Sequence, residues 1–361
     1  MGLVSKRHLL DGDVDAVFDH MYRAGWTDGL PVIPPTRRRV EAMIEGLGWP
    51  ADFSIGRLPP KYGEATIEKL AINAVMAGCL PEYFPVVVGS IQALLDPAYN
   101  LYSVNTTTHP ATPMLMINGP IRHELDINFS WGCMGPGWRA NATIGRAVNL
   151  AMLNIGGRIP GVGTKAVHAQ PGRFTWCFAE WEEESPWEPY HVERGFDRNE
   201  NTVTVAAPGG VRTMEFPECV TGEDVLENIA GALHGEGGIN IFPQFGQGEM
   251  PVIMCTEHAK MMMQDGFTKQ KAKEYLYEHT RHIPFSSFSK SKLEAMRKIR
   301  PDQFSDKGVA LAARPDQFMI YVSGGPGGLH TRFCDTFGDT WIVTKRLPRK
   351  GEPPPPVSPA S

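Results

Sequence analysis

Residues 130–146 read Ser130-Trp-Gly-Cys-Met-Gly-Pro-Gly-Trp-Arg-Ala-Asn-Ala-Thr-Ile-Gly-Arg146 and hold one cysteine, three glycines before the helix and two arginines. Gly132, Gly135 and Gly137 lack a Cβ, so their backbone can approach a ligand closely. The helix expected to follow offers unpaired first-turn N–H groups and the positive end of its dipole. The combination predicts an anion site, and the same field is expected to lower the pKa of Cys133. Arg139 and Arg146 can each fork onto a carboxylate. Gly135, Gly137, Arg139, Asn141 and Arg146 are therefore candidate substrate-binding residues, and Cys133 is the candidate activated thiol.

Three other stretches carry acid–base chemistry. His109 stands in Thr106-Thr-Thr-His-Pro110, on a constrained loop ahead of a strand, and His258 in Cys255-Thr-Glu-His258, where a strand gives way to a helix. Either can move protons near neutral pH. Glu180, which opens the run Glu180-Trp-Glu-Glu-Glu184, is the third candidate, with Glu182 as its alternative. A second glycine-rich segment, Gly324-Gly-Pro-Gly-Gly-Leu-His-Thr-Arg332, follows an apolar strand and adds Gly325 and Arg332. Neither Gly-x-Gly-x-x-Gly nor Gly-x4-Gly-Lys-Ser/Thr occurs, so nucleotide binding has no support. His109, His258 and one of Glu180 or Glu182 would make a three-ligand metal set, but no His-x-His or His-x-x-x-His spacing marks it. No metal and no cofactor is expected.

The chain that must position these groups has 361 residues, enough for two lobes. A net charge of −5 without a basic, aromatic-interleaved tract argues against nucleic acid as a partner. The first residues lack the apolar core of a secretory signal, and no apolar run approaches the ~18 residues that span a bilayer. The six cysteines include no Cys-x-x-Cys pair, which argues against a disulfide framework. A cytoplasmic protein free of membranes is expected, with self-association open.

Apolar periodicity predicts helices near 36–47, 64–78, 81–95, 140–155, 221–234, 257–265, 268–279 and 289–298. Strands are expected at 114–118, 173–179, 202–206, 318–322 and 341–344. Pro113-Met-Leu-Met-Ile-Asn-Gly-Pro-Ile-Arg-His-Glu-Leu125 reads like Pro251-Val-Ile-Met-Cys-Thr-Glu-His-Ala-Lys-Met-Met-Met263, an offset of 138 residues that places Asn118 near Cys255. The predicted fold class is thus α/β, with two related lobes of mixed sheet and helices. The expected division is 1–170, 171–347 and a disordered proline-rich tail at 348–361, and Asn118 joins the candidates for substrate binding.

Trp26-Thr-Asp-Gly-Leu-Pro-Val-Ile-Pro-Pro-Thr36, Gly135-Pro-Gly-Trp-Arg-Ala-Asn-Ala-Thr-Ile-Gly-Arg-Ala147, Glu257-His-Ala259 and Gly324-Gly325 together resemble a bacterial group related to the UGSC-motif (seleno)proteins. The resemblance covers most of residues 20–345 and implies a thiol or selenol oxidoreductase. This chain has no Cys-Gly-Ser-Cys tetrapeptide, and Cys133 is the residue that could stand in for it. The expectation is an enzyme acting on a small anionic organic substrate in an interlobe cleft through Cys133, by redox or nucleophilic chemistry. The alternatives are a cofactor-free hydrolase or lyase with Cys133 structural, and a small-molecule binding protein.

Overall fold

A computed structural model describes residues 2–10, 12–234 and 248–355. Helices α1 (Val14–Arg23) and α2 (Arg37–Glu45) lead into a hairpin of β1 (Ser54–Leu58) and β2 (Gly63–Thr66), which periodicity did not reveal. Next come α3 (Ile67–Ala77), α4 (Phe84–Leu94), α5 (Leu101–Thr106), β3 (Met114–Asn118), α6 (Ile121–Glu124) and α7 (Arg139–Asn154). Then follow β4 (Cys177–Ala179), α8 (Tyr190–Glu193), β5 (Thr202–Ala206) and β6 (Arg212–Glu215). The rest is α9 (Gly222–His234), β7 (Met250–Met254), α10 (Thr256–Gln264), α11 (Lys269–His279), α12 (Lys290–Ile299), β8 (Phe318–Val322), β9 (His330–Phe333) and β10 (Val343–Arg346).

The two large sheets run β10-β5-β3-β4 and β6-β9-β7-β8. In each, a central strand pairs parallel with one neighbour (β3 with β4, β7 with β8) and antiparallel with the other (β5, β9). The protein is α/β, and the two sheets share one topology. They are equivalent down to single bonds. Ile117 O accepts from Glu180 N at 3.1 Å, and Met254 O accepts from Ser323 N at 3.0 Å. The structural offset at these strands is therefore 137 residues on the central strand, which does set Cys255 opposite Asn118.

Alternation along the strands builds the layers. Leu115, Ile117, Cys177, Val203 and Val205 face α3, α4 and α7 in one core, while Val252, Met254, Ile320 and Val322 face α9–α12 in a second. The intervening residues Met114, Met116, Phe178, Ile253, Met319 and Tyr321 meet in a third core between the sheets. Strands β3, β4, β5, β7 and β8 are buried on both faces, which explains the continuous apolar runs in sequence. The result is a helix–sheet–sheet–helix stack.

A cut at residue 170 does not separate these lobes. β4, β5 and β10 all belong to the sheet of β3, and β6, the strand after β5, joins the other sheet. The lobes exchange their edge strands, and the two crossing segments pair where they pass: Gly209 N donates to Asp335 O at 2.7 Å and Phe337 N to Ala207 O at 2.9 Å. The expected strand at 173–179 is shortened, because Pro171–Arg173 forms a 3-10 turn and the ladder begins only at Cys177. The tail is ordered through Glu352, whose carbonyl accepts from Trp49 Nε1 at 2.6 Å, while Gly351 N donates to Leu47 O at 2.9 Å. Residues 356–361 of the expected disordered tail lie outside the described residues. No helix among the described residues is long and apolar enough to cross a membrane.

Candidate functional site

α7 lies against α3 and the start of β4, and its first turn holds the Cys133 loop by one side chain. Asn141 accepts from Asn128 N at 2.8 Å through Oδ1 and donates to the carbonyls of Asn128 (3.0 Å) and Cys133 (3.1 Å) through Nδ2. Gly135 N closes the turn onto Gly132 O at 2.7 Å. Trp131 joins this loop to the second glycine-rich segment by donating from Nε1 to Pro326 O at 3.1 Å. A Cβ on Gly325 would lie 2.1 Å from the Trp131 ring, so glycine is what lets the indole lie across the loop.

The two loops line one cavity of about 780 Å³, large enough for an ordinary metabolite. Cys133, Gly135, Asn141 and Gly325 from the sequence-derived set border it. Ser323, Cys255, His330 and Arg332 border it too, with Trp176, Met134 and Ile253 as apolar wall. Ser323 and His330 were not singled out in sequence. The signal for His330 was the two-residue period of His330-Thr-Arg-Phe333, which alternates exposed and buried and so turns His330 and Arg332 to the same side. The Arg332 side chain has no ion pair or hydrogen bond among the described residues.

Cys133 is 7% exposed and its Sγ lies 3.2 Å from Ser323 Oγ. The Ser323 hydroxyl has carbonyl acceptors at Ala179 (2.9 Å) and Phe129 (3.1 Å). With its one proton committed there, Ser323 receives the S–H of Cys133. Burial accordingly pushes the Cys133 pKa up, against the opposing pull of Ser323 and the Arg332 charge. The expected depression is absent because the burial of the sulfur outweighs the pull of Ser323 and Arg332.

The remaining expected residues lie elsewhere. Arg139 donates to Gly78 O at 3.1 and 3.0 Å and so closes the C-terminus of α3 with a cation. Arg146 forks onto both oxygens of Asp28 at 2.8 Å and donates to Pro31 O at 2.9 Å. The Trp26–Thr36 and Gly135–Ala147 strings are thus two halves of one structural clasp. Gly137, at φ 128°, serves the turn rather than the cavity wall. Asn118 and Glu180 are fully buried: Asn118 Nδ2 donates to Glu180 Oε2 at 2.5 Å, Tyr190 N donates to the same oxygen at 2.8 Å, and Lys269 Nζ stands 3.9 Å from Oε1.

Neither histidine borders the cavity. His109 stacks on Phe337 with ring centres 5.8 Å apart. His258 is the third residue of α10, where the helical turn points it back onto β9, and its Nδ1 meets Thr331 Oγ1 at 2.9 Å. Among the described residues no three His, Cys, Asp or Glu side chains are grouped so as to hold a metal ion. Burial lowers the pKa of both histidines to about 4, against ~6.5 for an exposed imidazole in the unfolded chain. Between these values the unfolded state binds more protons, so stability falls as pH drops from about 6.5 towards 4. The urea midpoint is expected to fall between pH 7.5 and 5 and to fall less in His258→Leu; equal pH dependence of the two proteins would contradict the buried, neutral imidazole.

No protein-family model matches the chain, and no curated protein is significantly similar to it.

Proposed function

We propose that the chain is an enzyme that takes a small anionic organic molecule into this cavity and acts on it through Cys133. The observation that carries the reading is the convergence of a thiol, an unpaired guanidinium and an imidazole (Cys133, Arg332, His330) on one cavity framed by two glycine-rich loops. Arg332 would bind the substrate's negative group in a bidentate manner. The Cys133 sulfur would add to an electrophilic carbonyl carbon, the C–S bond forming as the C=O π pair moves onto oxygen and the thiol proton passes to His330, whose Nδ1 lies 3.5 Å from Glu215. The thiol redox activity implied by the UGSC-type resemblance would use the same sulfur. Six free cysteines fit a reducing, cytoplasmic setting.

The second reading, a hydrolase or lyase with Cys133 structural, draws on the burial of the thiol and its bond to Ser323. Alkylation separates the two. With iodoacetate and iodoacetamide as anionic and neutral probes, Cys133 is expected to react in the native protein with a preference for iodoacetate. Arg332→Gln should slow iodoacetate about tenfold, or ~1.4 kcal/mol, and leave iodoacetamide within about twofold. A Cys133 that stays unmodified by both reagents until the protein unfolds, or an iodoacetate rate indifferent to Arg332, sinks the thiol mechanism.

A further inference from the structure

The hydroxyl-rich loop ahead of β3 covers a second concentration of chemistry that the cavity does not use. Arg158 is 6% exposed; its Nη2 donates to Asn149 Oδ1 at 2.6 Å, and its buried Nη1 has no partner. Arg173 donates through Nη1 to Thr164 Oγ1 at 3.0 Å and through Nη2 to Ala111 O at 2.9 Å and His109 O at 3.4 Å, while its buried Nε has no partner. Thr112 Oγ1 and His109 Nδ1 on the same loop are also buried and unpartnered. Among the described residues no carboxylate pairs with either arginine. Each guanidinium instead meets a like charge or a neutral group: Arg158 is opposed by Arg173, His109 by Arg173, and Tyr99 is the phenol beside both arginines.

Taking an ion out of water costs several kcal/mol even after relaxation, and buried charges are accordingly found paired. Water could satisfy the free N–H groups, but it would leave two neighbouring positive charges uncompensated. A bound anion supplies both the acceptors and the charge. We propose that Arg158 and Arg173 hold a compact oxyanion, a phosphate or carboxylate group, beneath the loop from Asn105 to Pro113. Thr112 Oγ1, buried without a partner one residue after the Ala111 carbonyl that Arg173 holds, would be the hydroxyl that donates to it. Segment 164–175, which carries Arg173, also runs along this loop through Val167 N to Thr108 O at 2.9 Å, and its Gln170–Gly172 stretch forms part of the Cys133 cavity wall. An anion at Arg173 would therefore brace that wall. The site is separate from the thiol and does not depend on the function proposed above.

Thermal unfolding tests it, with phosphate, sulfate and acetate titrated against sodium chloride at matched ionic strength and an acid extract of the purified protein analysed for phosphate. Either a saturable rise in Tm specific to an oxyanion or about one copurified phosphate per chain is expected. The phosphate and acetate arms tell the two sources apart. Arg158→Met should weaken the anion response at least tenfold and leave the rate of Cys133 alkylation by iodoacetamide unchanged; if that variant does not fold, Thr112→Val should weaken the response several-fold. A Tm response equal to that of chloride with no copurified anion, or a response undiminished in the variants, overturns the proposal.

Discussion

Gly145→Val is expected to cost about 4 kcal/mol or more, or to prevent folding altogether. A Cβ at this position would lie 2.5 Å from Thr175 Oγ1, 2.7 Å from Trp176 N and 3.2 Å from Trp176 C. Two of these atoms are backbone leading into β4, whose register with β3 is fixed by the pairs Leu115–Cys177 and Ile117–Ala179. The clash cannot be relieved by a rotamer change. It must push α7 off the sheet, and with it the Asn141 staple and the Arg146–Asp28 fork. Helix propensity acts in the opposite direction, since a glycine costs roughly 1 kcal/mol relative to alanine in a helix interior, but sterics should dominate. Gly135→Ala is the control: its nearest contact would be Gly132 O at 3.3 Å, and a loss within about 1 kcal/mol is expected. Urea unfolding of the two variants gives the comparison, and a Gly145→Val protein as stable as its parent would refute the close approach of α7 to β4.

Glu180→Ala is expected to destabilise by about 3–5 kcal/mol, the range for removing one partner of a buried charged network. Glu180 ties together Asn118, the Tyr190 amide and Lys269 between two sheets. Lys269 and Lys273 both also pair with Glu193. Removing the carboxylate leaves one acid facing two buried ammonium groups and orphans the Tyr190 amide. Burial raises the pKa of Glu180 despite the Lys269 charge, so part of its role is played by hydrogen bonds that an amide can keep. Glu180→Gln should therefore lose less than half as much. Equal losses in the two variants would mean that charge alone matters, and no loss in either would place Glu180 outside the framework of the fold.

Some of this organisation was present in the residue order. The apolar runs Met114–Asn118 and Phe318–Val322 are continuous because both faces of each strand are buried, and segments 113–125 and 251–263 do carry the central strands of two sheets of one topology, in a register 137 rather than 138 residues apart. The glycine content around Cys133 and Gly325 marked two loops that do line one cavity. Side-chain direction and partner were not present in it. Arg146 reads as an anion receptor until Asp28, 118 residues earlier, takes two of its three donor nitrogens. His258 reads as a loop base until one helical turn rotates it into the sheet. Cys133 reads as an activated thiol until burial is set against a single serine and a single arginine. The boundary near residue 170 failed for the same reason, because an edge strand's choice of sheet depends on long-range ladders such as β10 with β5. Local sequence determines which residues pair in helices and turns; which charges meet, and how much water they keep, is decided only when segments more than a hundred residues apart close on one another.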